Sequence, residues 1–192
     1  VEEAQRLKTD KGEWLLHRAT QTGKTIAELI PAMVNIAVSK LPVPKPMRWG
    51  STRTQFIRPV HTLTIMFGAE IIAGETLEVS SSNVVTGHRF HHEGFVTLAH
   101  ANEYEDKLTS AFVQVNYQER QALILSEINK AAQQLDGIAL IDDELLEEVT
   151  GLVEWPVILI GSFDKAFLDV PAEPLIYSMK DHQKYFPVND KN

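Results

Sequence analysis

With 192 residues and 44% hydrophobic side chains, the chain can bury one good core or two small lobes sharing a boundary. It contains no cysteine, which excludes disulfides, thiolate catalysis and cysteine-type zinc sites and agrees with a reducing, cytoplasmic setting. A net charge of -8 argues against a broad, non-specific grip on DNA, and the longest apolar runs, such as 157–160, are far too short to span a membrane.

In chain order, the Asp10-Lys11-Gly12 turn leads into a predicted strand over 13–20. A helix follows over 25–40: Ile26, Leu29, Ile30, Met33, Ile36 and Ala37 fall at helical spacing, and Thr25 with Glu28 three places on forms a capping box. Pro42, Pro44 and Pro46 forbid its continuation. The β-branched and aromatic run at 57–67, the turn residues Gly68-Ala69-Glu70 and the return at 71–79 predict a β-hairpin, with 80–83 as a loop and 84–96 as a connecting segment.

The pattern then becomes mostly helical. A short polar helix is expected at 102–110, a brief strand at 111–115, and a long helix capped by Asn116 through Leu135. Ala122, Leu125, Ile128 and Ala132 mark its buried face, and Gly137 ends it. A second, acidic helix occupies 142–152. The nearly uninterrupted apolar run 156–163 reads as a strand covered on both faces. Pro171 opens a last helix at 172–182 before a strand at 184–188.

Strands and helices alternate without a strict βαβ repeat, so the expected class is α+β, a mixed, mostly antiparallel sheet with flanking helices. The chain is expected to form a single compact section, divisible into a basic strand-rich part at 1–100 and an acidic helix-rich part at 101–192. Residues 101–150 carry 11 acidic against 3 basic side chains, whereas 1–100 carry 9 against 11. The chain begins with Val1 and stops just after a strand-like run, which reads as an internal piece of something larger.

The most informative stretch is 44–61, PKPMRWGSTRTQFIRPVH, with Lys45, Arg48, Arg53 and Arg58 and no acidic residue. Arg48 abuts Trp49, and Phe56 follows, so cations are interleaved with flat rings that stack on unpaired bases or ribose. RNA is the polyanion such a loop suits. The competing reading is a loop entering a strand, with Trp49 and Phe56 buried and the arginines answering acidic neighbours.

Other chemistry is sparse. His88, His91 and His92 in GHRFHHEG, with Glu93, match no standard zinc spacing and read as surface histidines. The carboxylates Asp142, Asp143, Glu144, Glu147 and Glu148 read as the solvated face of an amphipathic helix. No glycine-rich phosphate loop and no nucleophile elbow occurs, so no catalytic residue, metal ligand or cofactor is expected within the chain.

The ordered set TDKGEWLLHRA, LPVPKPMRWG, QFIRPVHTL, GHRF, LLEEVTGLVEWPVILIGSF and VPAEPLIYSMKDHQKYFPV resembles the β subunit family of the bacterial two-subunit glycyl-tRNA synthetases, in order and over essentially all 192 residues. The chain looks like an interior section near the front of such a subunit. The resemblance implies an enzyme of class II that joins glycine to its tRNA, with ATP and magnesium used in the α subunit and the β subunit serving tRNA binding. The implied partners are the α subunit, glycine tRNA and the remainder of the β subunit, with no membrane and no DNA. Lys45, Arg48, Trp49, Arg53, Phe56 and Arg58, joined by His88 and Arg89 of GHRF, are the candidate RNA-binding residues.

The section is also similar to the B3/B4-type module of the phenylalanyl enzyme's β subunit, used there for editing, although no editing residue can be carried over. Two further readings stand beside RNA contact. One is a scaffold whose basic loop docks on another part of the synthetase. The other is a hydrolytic editing domain, which requires a polar pocket near His88 or His61.

Overall fold

The computed structural model describes residues 5–17 and 19–190. These build five α-helices and several small, mostly antiparallel sheets, an α+β arrangement. At the front, β1 (Gln5–Thr9) and β2 (Gly12–Leu16) form a hairpin closed by Thr9 opposite Gly12. The strand predicted over 13–20 therefore stops at Leu16, and position 18 lies outside the described residues.

Helix α1 (Ile26–Ser39) carries the expected capping box: the Glu28 amide donates to Thr25 Oγ1, and the Thr25 amide donates to the Glu28 carboxylate at 2.8 Å. Its apolar residues divide between two faces. Ile30, Val34 and Val38 are half-buried, and Asn35 ties the helix inward by donating to the Glu75 carbonyl at 2.8 Å. Ile26, Leu29, Met33 and Ile36 face outward and are exposed.

Two expectations fail in the next section. The strand 57–67 is broken: only β5 (Leu63–Thr64) and β6 (Met66–Phe67) form, and β6 turns over Gly68-Ala69 into β7 (Glu70–Ile71). Residues 80–83 are largely a strand, not a loop. Strand β9 (Val79–Ser82) lies at the centre of a three-stranded sheet, parallel to β5 and antiparallel to β8 (Glu75–Thr76). Its serines are tolerated because Ser81 Oγ donates to the Ile72 carbonyl at 2.6 Å and accepts from the Gly74 amide at 2.9 Å, bonding the backbone as a ladder would.

Strands β10 (Val84–Thr86) and β11 (Phe95–Thr97) pair antiparallel and enclose the 87–94 loop. Helix α2 (Tyr104–Ser110) follows a single 3-10 turn. The strand expected at 111–115 is absent. The chain reverses there with Phe112 in the left-handed region, and the Gln114 amide donates to the Glu154 carbonyl at 2.9 Å.

Asn116 caps α3 (Tyr117–Gln134), its side-chain oxygen accepting from the Gln118 and Glu119 amides. The buried face is Ile124, Ile128 and Ala132, with Leu125 half-buried, whereas Ala122, placed in the predicted stripe, is exposed. The helix ends before Gly137, which opens β12 (Gly137–Ala139), and β12 pairs antiparallel with β13 (Val188–Asp190). Left-handed Lys184 turns the chain first, so this last strand starts later than the 184–188 expected.

Helix α4 (Asp143–Leu152) is capped by Asp142 and presents Asp143, Glu144 and Glu147 outward, as its pattern predicted, whereas Asp142 and Glu148 are engaged by lysines. Helix α5 (Ala172–Tyr177) runs directly into a π-helical turn at Ser178–His182. The largest correction concerns 156–163. This run is not a strand in a sheet: no ladder forms, and Val157, Leu159, Ile160 and Phe163 are exposed.

Among the described residues, two apolar clusters hold the fold. Ile124, Ile128, Ala132, Ala139 and Leu146 form one, with Ile158 and Phe186 packed against it. Val85, Leu98 and Leu108 form the other, flanked by Met66, Val96 and Val113. The accessible surface is nevertheless 14969 Å² for a chain of 21.6 kDa, against about 9,200 Å² for a compact monomer of that mass. Much apolar surface is left uncovered.

Candidate nucleic-acid interface

The basic stretch folds as a small antiparallel hairpin. Strand β3 (Met47–Arg48) pairs with β4 (Gln55–Phe56), placing Met47 opposite Phe56 and Arg48 opposite Gln55. The prolines before it remove helix propensity and backbone donors, and the chain reaches β3 through a bend at Pro44-Lys45. Six residues, among them Trp49, Gly50 and Arg53, form the connection.

Cross-strand pairing sorts the side chains by face. With the Gln55 amide oriented so that its oxygen meets Arg48, the guanidinium donates to it from Nε at 2.8 Å and from a terminal nitrogen at 3.2 Å. A planar fork is thereby held by one neutral acceptor, its charge intact. On the opposite face Arg58 lies against Met47, with NH1 to Sδ at 3.9 Å. Thr54 donates to the Glu78 carboxylate, which fastens the hairpin to the end of the β8–β9 turn.

Lys45, Arg48, Arg53 and Arg58 are all exposed, and Trp49 and Phe56 are half-buried. Among the described residues none of these four cations forms an ion pair. Beside the hairpin runs a groove lined by Val38, Leu41, Val43, Gln55, Phe56 and Leu77. The arrangement offers uncompensated positive charge next to a flat ring and an apolar slot, which suits a phosphate backbone carrying unpaired bases.

His88 and Arg89 lie elsewhere. Gly87 approaches Ala111 closely enough that a Cβ there would sit 2.6 Å from the Ala111 Cβ, and the His88 amide donates to the Ala111 carbonyl at 2.9 Å. His88 Nδ1 accepts from the Phe90 and His91 amides at 3.2 and 3.3 Å, which closes the loop on itself. Arg89 is exposed, and Phe90 is 85% exposed. Among the described residues no hydrogen bond, ion pair or ring contact joins this loop to the basic hairpin. The eight candidate residues thus fall on two segments without direct contact, 45–58 and the 87–94 loop.

Three features escaped the reading of the sequence. The His88 ring stacks on His91 at 4.4 Å, His91 meets Phe112 at 5.6 Å, and Phe112 meets Trp155 edge-on at 5.4 Å, a chain of rings across 68 positions of sequence (155 less 87). Arg120 is half-buried and donates to the carbonyls of Gln114, Val115 and Thr150, linking the start of α3 to the end of α4. Lys180 and Lys184 of KDHQKYF pair with Asp142 and Glu148 of the acidic helix. Only the alternation of acids on α4 with lysines further on was available as a signal.

Over residues 1–192 the chain matches the family model described as glycyl-tRNA synthetase beta subunit. It belongs to that family. The chain is 66% identical over all of its length to the glycine--tRNA ligase beta subunit of Colwellia psychrerythraea, and 55% and 52% identical to those of Psychromonas ingrahamii and Pseudoalteromonas atlantica. In each case it spans 28% of the relative's length. As a section of a glycyl-tRNA synthetase beta subunit, it places MRWG on β3 and its turn and GHRF on the loop after β10.

Proposed function

We propose that this chain is the section of a glycine--tRNA ligase beta subunit that presents the basic hairpin to the sugar-phosphate backbone of glycine tRNA. One observation carries the reading: Lys45, Arg48, Arg53 and Arg58 are exposed and unpaired among the described residues of a chain whose net charge is -8. Cations that form no ion pair among the described residues are available to an external polyanion. Phe56 and Trp49 supply rings beside them.

In this reading the whole enzyme works in the cytoplasm as a class II synthetase, and glycine is activated with ATP and magnesium on the α subunit. Among the described residues no three histidines or carboxylates converge where a metal ion could be held. The remainder of the β subunit and the α subunit are then its permanent partners.

The test is a double Arg48→Ala, Arg53→Ala variant of the complete synthetase. It should bind tRNA more weakly and with a log-log salt slope reduced by about one for each phosphate no longer neutralised. Glycine and ATP handling should stay near normal. The second reading, a docking hairpin, is favoured by the apolar groove between α1 and Phe56. It takes over if the variant keeps its tRNA affinity and salt slope but loses the α subunit.

A further inference from the structure

The segment 156–163, PVILIGSF, has the composition of a strand buried on both faces, yet among the described residues only Pro156 and Ile158 are half-buried and the rest is exposed. Its start is firmly placed: the Glu154 carbonyl accepts from the Gln114 amide at 2.9 Å, Trp155 packs edge-on against Phe112, and Ile158 lies against the Ile124–Leu146 cluster. Beyond that anchor exposure alternates across Val157, Ile158 and Leu159, and every residue from Ile160 to Phe163 is exposed. Val157 is 64% and Leu159 87% exposed, on either side of half-buried Ile158. Among the described residues, no backbone hydrogen bond engages the amides or carbonyls of 156–163.

An extended, β-branched run with an open hydrogen-bonding edge and an open apolar face is a strand without its sheet. Scattered apolar residues on a surface are ordinary, but four within eight residues on one extended segment are not. The total surface points the same way, since 14969 Å² is about 1.6 times the value for a compact chain of this mass.

We infer that residues 157–163 are completed by strand addition, the partner being an apolar β-strand from the part of the same beta subunit polypeptide that lies outside these residues. Relatives carry this section in a chain about 3.6 times as long (100/28). A strand on the same chain is presented at an effective concentration of roughly millimolar order. At micromolar protein it outcompetes the same segment of a second copy or any strand of another subunit. The inference rests on family membership and the open edge, and is independent of whether the basic hairpin binds RNA.

Backbone hydrogen exchange of the full-length beta subunit tests it, with no substitution needed. In the subunit alone the amides of 157–163 should exchange about 100-fold or more slowly than exposed chain, independently of protein concentration. Protection that grows with concentration would assign the edge to a second copy and overturn the inference. Protection that appears only after the α subunit is added would assign it to that subunit and overturn it equally. Fast exchange in all three conditions would show that the edge stays open and would overturn it as well. As a second measurement, Leu159→Lys in the full-length subunit should speed exchange at 157–163 while leaving that of α3 unchanged, and no change at 157–163 would count against the added strand.

Discussion

Lys180 donates from Nζ to Oδ2 of Asp142, the carboxylate whose Oδ1 accepts the Leu145 amide at 3.1 Å. One side chain thus caps α4 and holds the π-helical turn of KDHQKYF against it. Lys184 repeats the contact further along the helix, reaching Glu148 at 2.9 Å. The acids of α4, which read as a purely solvated face, are in part the binding surface for the next element of the fold.

The two roles of Asp142 can be separated. Asp142→Asn keeps an acceptor for the Leu145 amide but removes the charge that Lys180 meets, whereas Asp142→Ala removes both. Melting temperatures should fall in the order wild type, Asn, Ala. Added salt should narrow the gap between wild type and Asn and leave that between Asn and Ala unchanged, because only the ion pair is screened. Equal salt dependence of both gaps in thermal melts would reject the assignment.

The pH dependence follows from the same contact. The Lys180 ammonium, then the Leu145 amide, hold the Asp142 carboxyl below its usual range, and Asp142 holds Lys180 above its own. Glu103 is lowered by Lys107 and the Ala99 amide, and Glu28 by the Thr25 amide and hydroxyl. For each acid the folded value is the depressed one, so its contribution is present above about pH 4 and lost as pH falls through the folded value. For Lys180 the folded value is raised, so its contribution is present below about pH 10.4 and lost as pH climbs above that. Stability should decline on both sides, and Asp142→Asn should flatten the alkaline limb and part of the acid limb in melts across pH.

What the sequence made legible was local. Thr25 with Glu28 and Asn116 announced their helices because a cap and the amides that donate to it lie within three residues. The cation cluster at 45–58 was visible for the same reason, but the pairing of Arg48 with Gln55 depends on which residues the turn places opposite. Ser80 to Ser82 read as loop because hydroxyls are polar, and it took the distant Ile72 and Gly74 backbone to satisfy Ser81 inside a sheet. The run 156–163 was read correctly as apolar, but the surface expected to cover it is not among the described residues, and composition says nothing about where a covering surface resides.

The close approach of Gly87 in GHRF to the Ala111 turn makes a sharp steric prediction. A Cβ at position 87 would lie 2.6 Å from the Ala111 Cβ and 2.9 Å from the Ala111 carbonyl oxygen. Gly87→Ala should therefore destabilise the chain by about 1–3 kcal/mol in denaturant titrations. Ala111→Gly on top of it should recover part of the loss, by removing the shortest of the three approaches and leaving the Ala111 carbonyl and the His92 ring, whose Cγ is also 2.9 Å away.

Neighbouring positions of the apolar segment should behave oppositely. Ile158 packs on the Ile124 cluster, so Ile158→Asp should cost about 2 kcal/mol or more by placing a carboxylate against apolar side chains. Leu159, 87% exposed, should tolerate the same change within about 0.5 kcal/mol in the 192-residue chain. Denaturant unfolding of both variants decides it, and a large cost at Leu159 would mean that the segment is covered within this section.

The last prediction turns on the bond between Arg48 and Gln55. The guanidinium is exposed, and an exposed, freely rotating cation contributes little to binding because it loses rotamer freedom when it engages a phosphate. The Gln55 oxygen holds the fork by accepting from two of its nitrogens, so part of that loss has already been met before any phosphate arrives. Gln55→Ala should then weaken tRNA binding by the complete synthetase about 2- to 10-fold, the scale of one immobilised side chain. Its salt slope should not change, because the number of cations is the same. Arg48→Ala should instead lower both affinity and slope, since a counterion-release contribution disappears. If Gln55→Ala lowers the slope as Arg48→Ala does, Gln55 positions more than one cation. If neither variant changes affinity, Arg48 does not touch the backbone and the hairpin serves as a docking element.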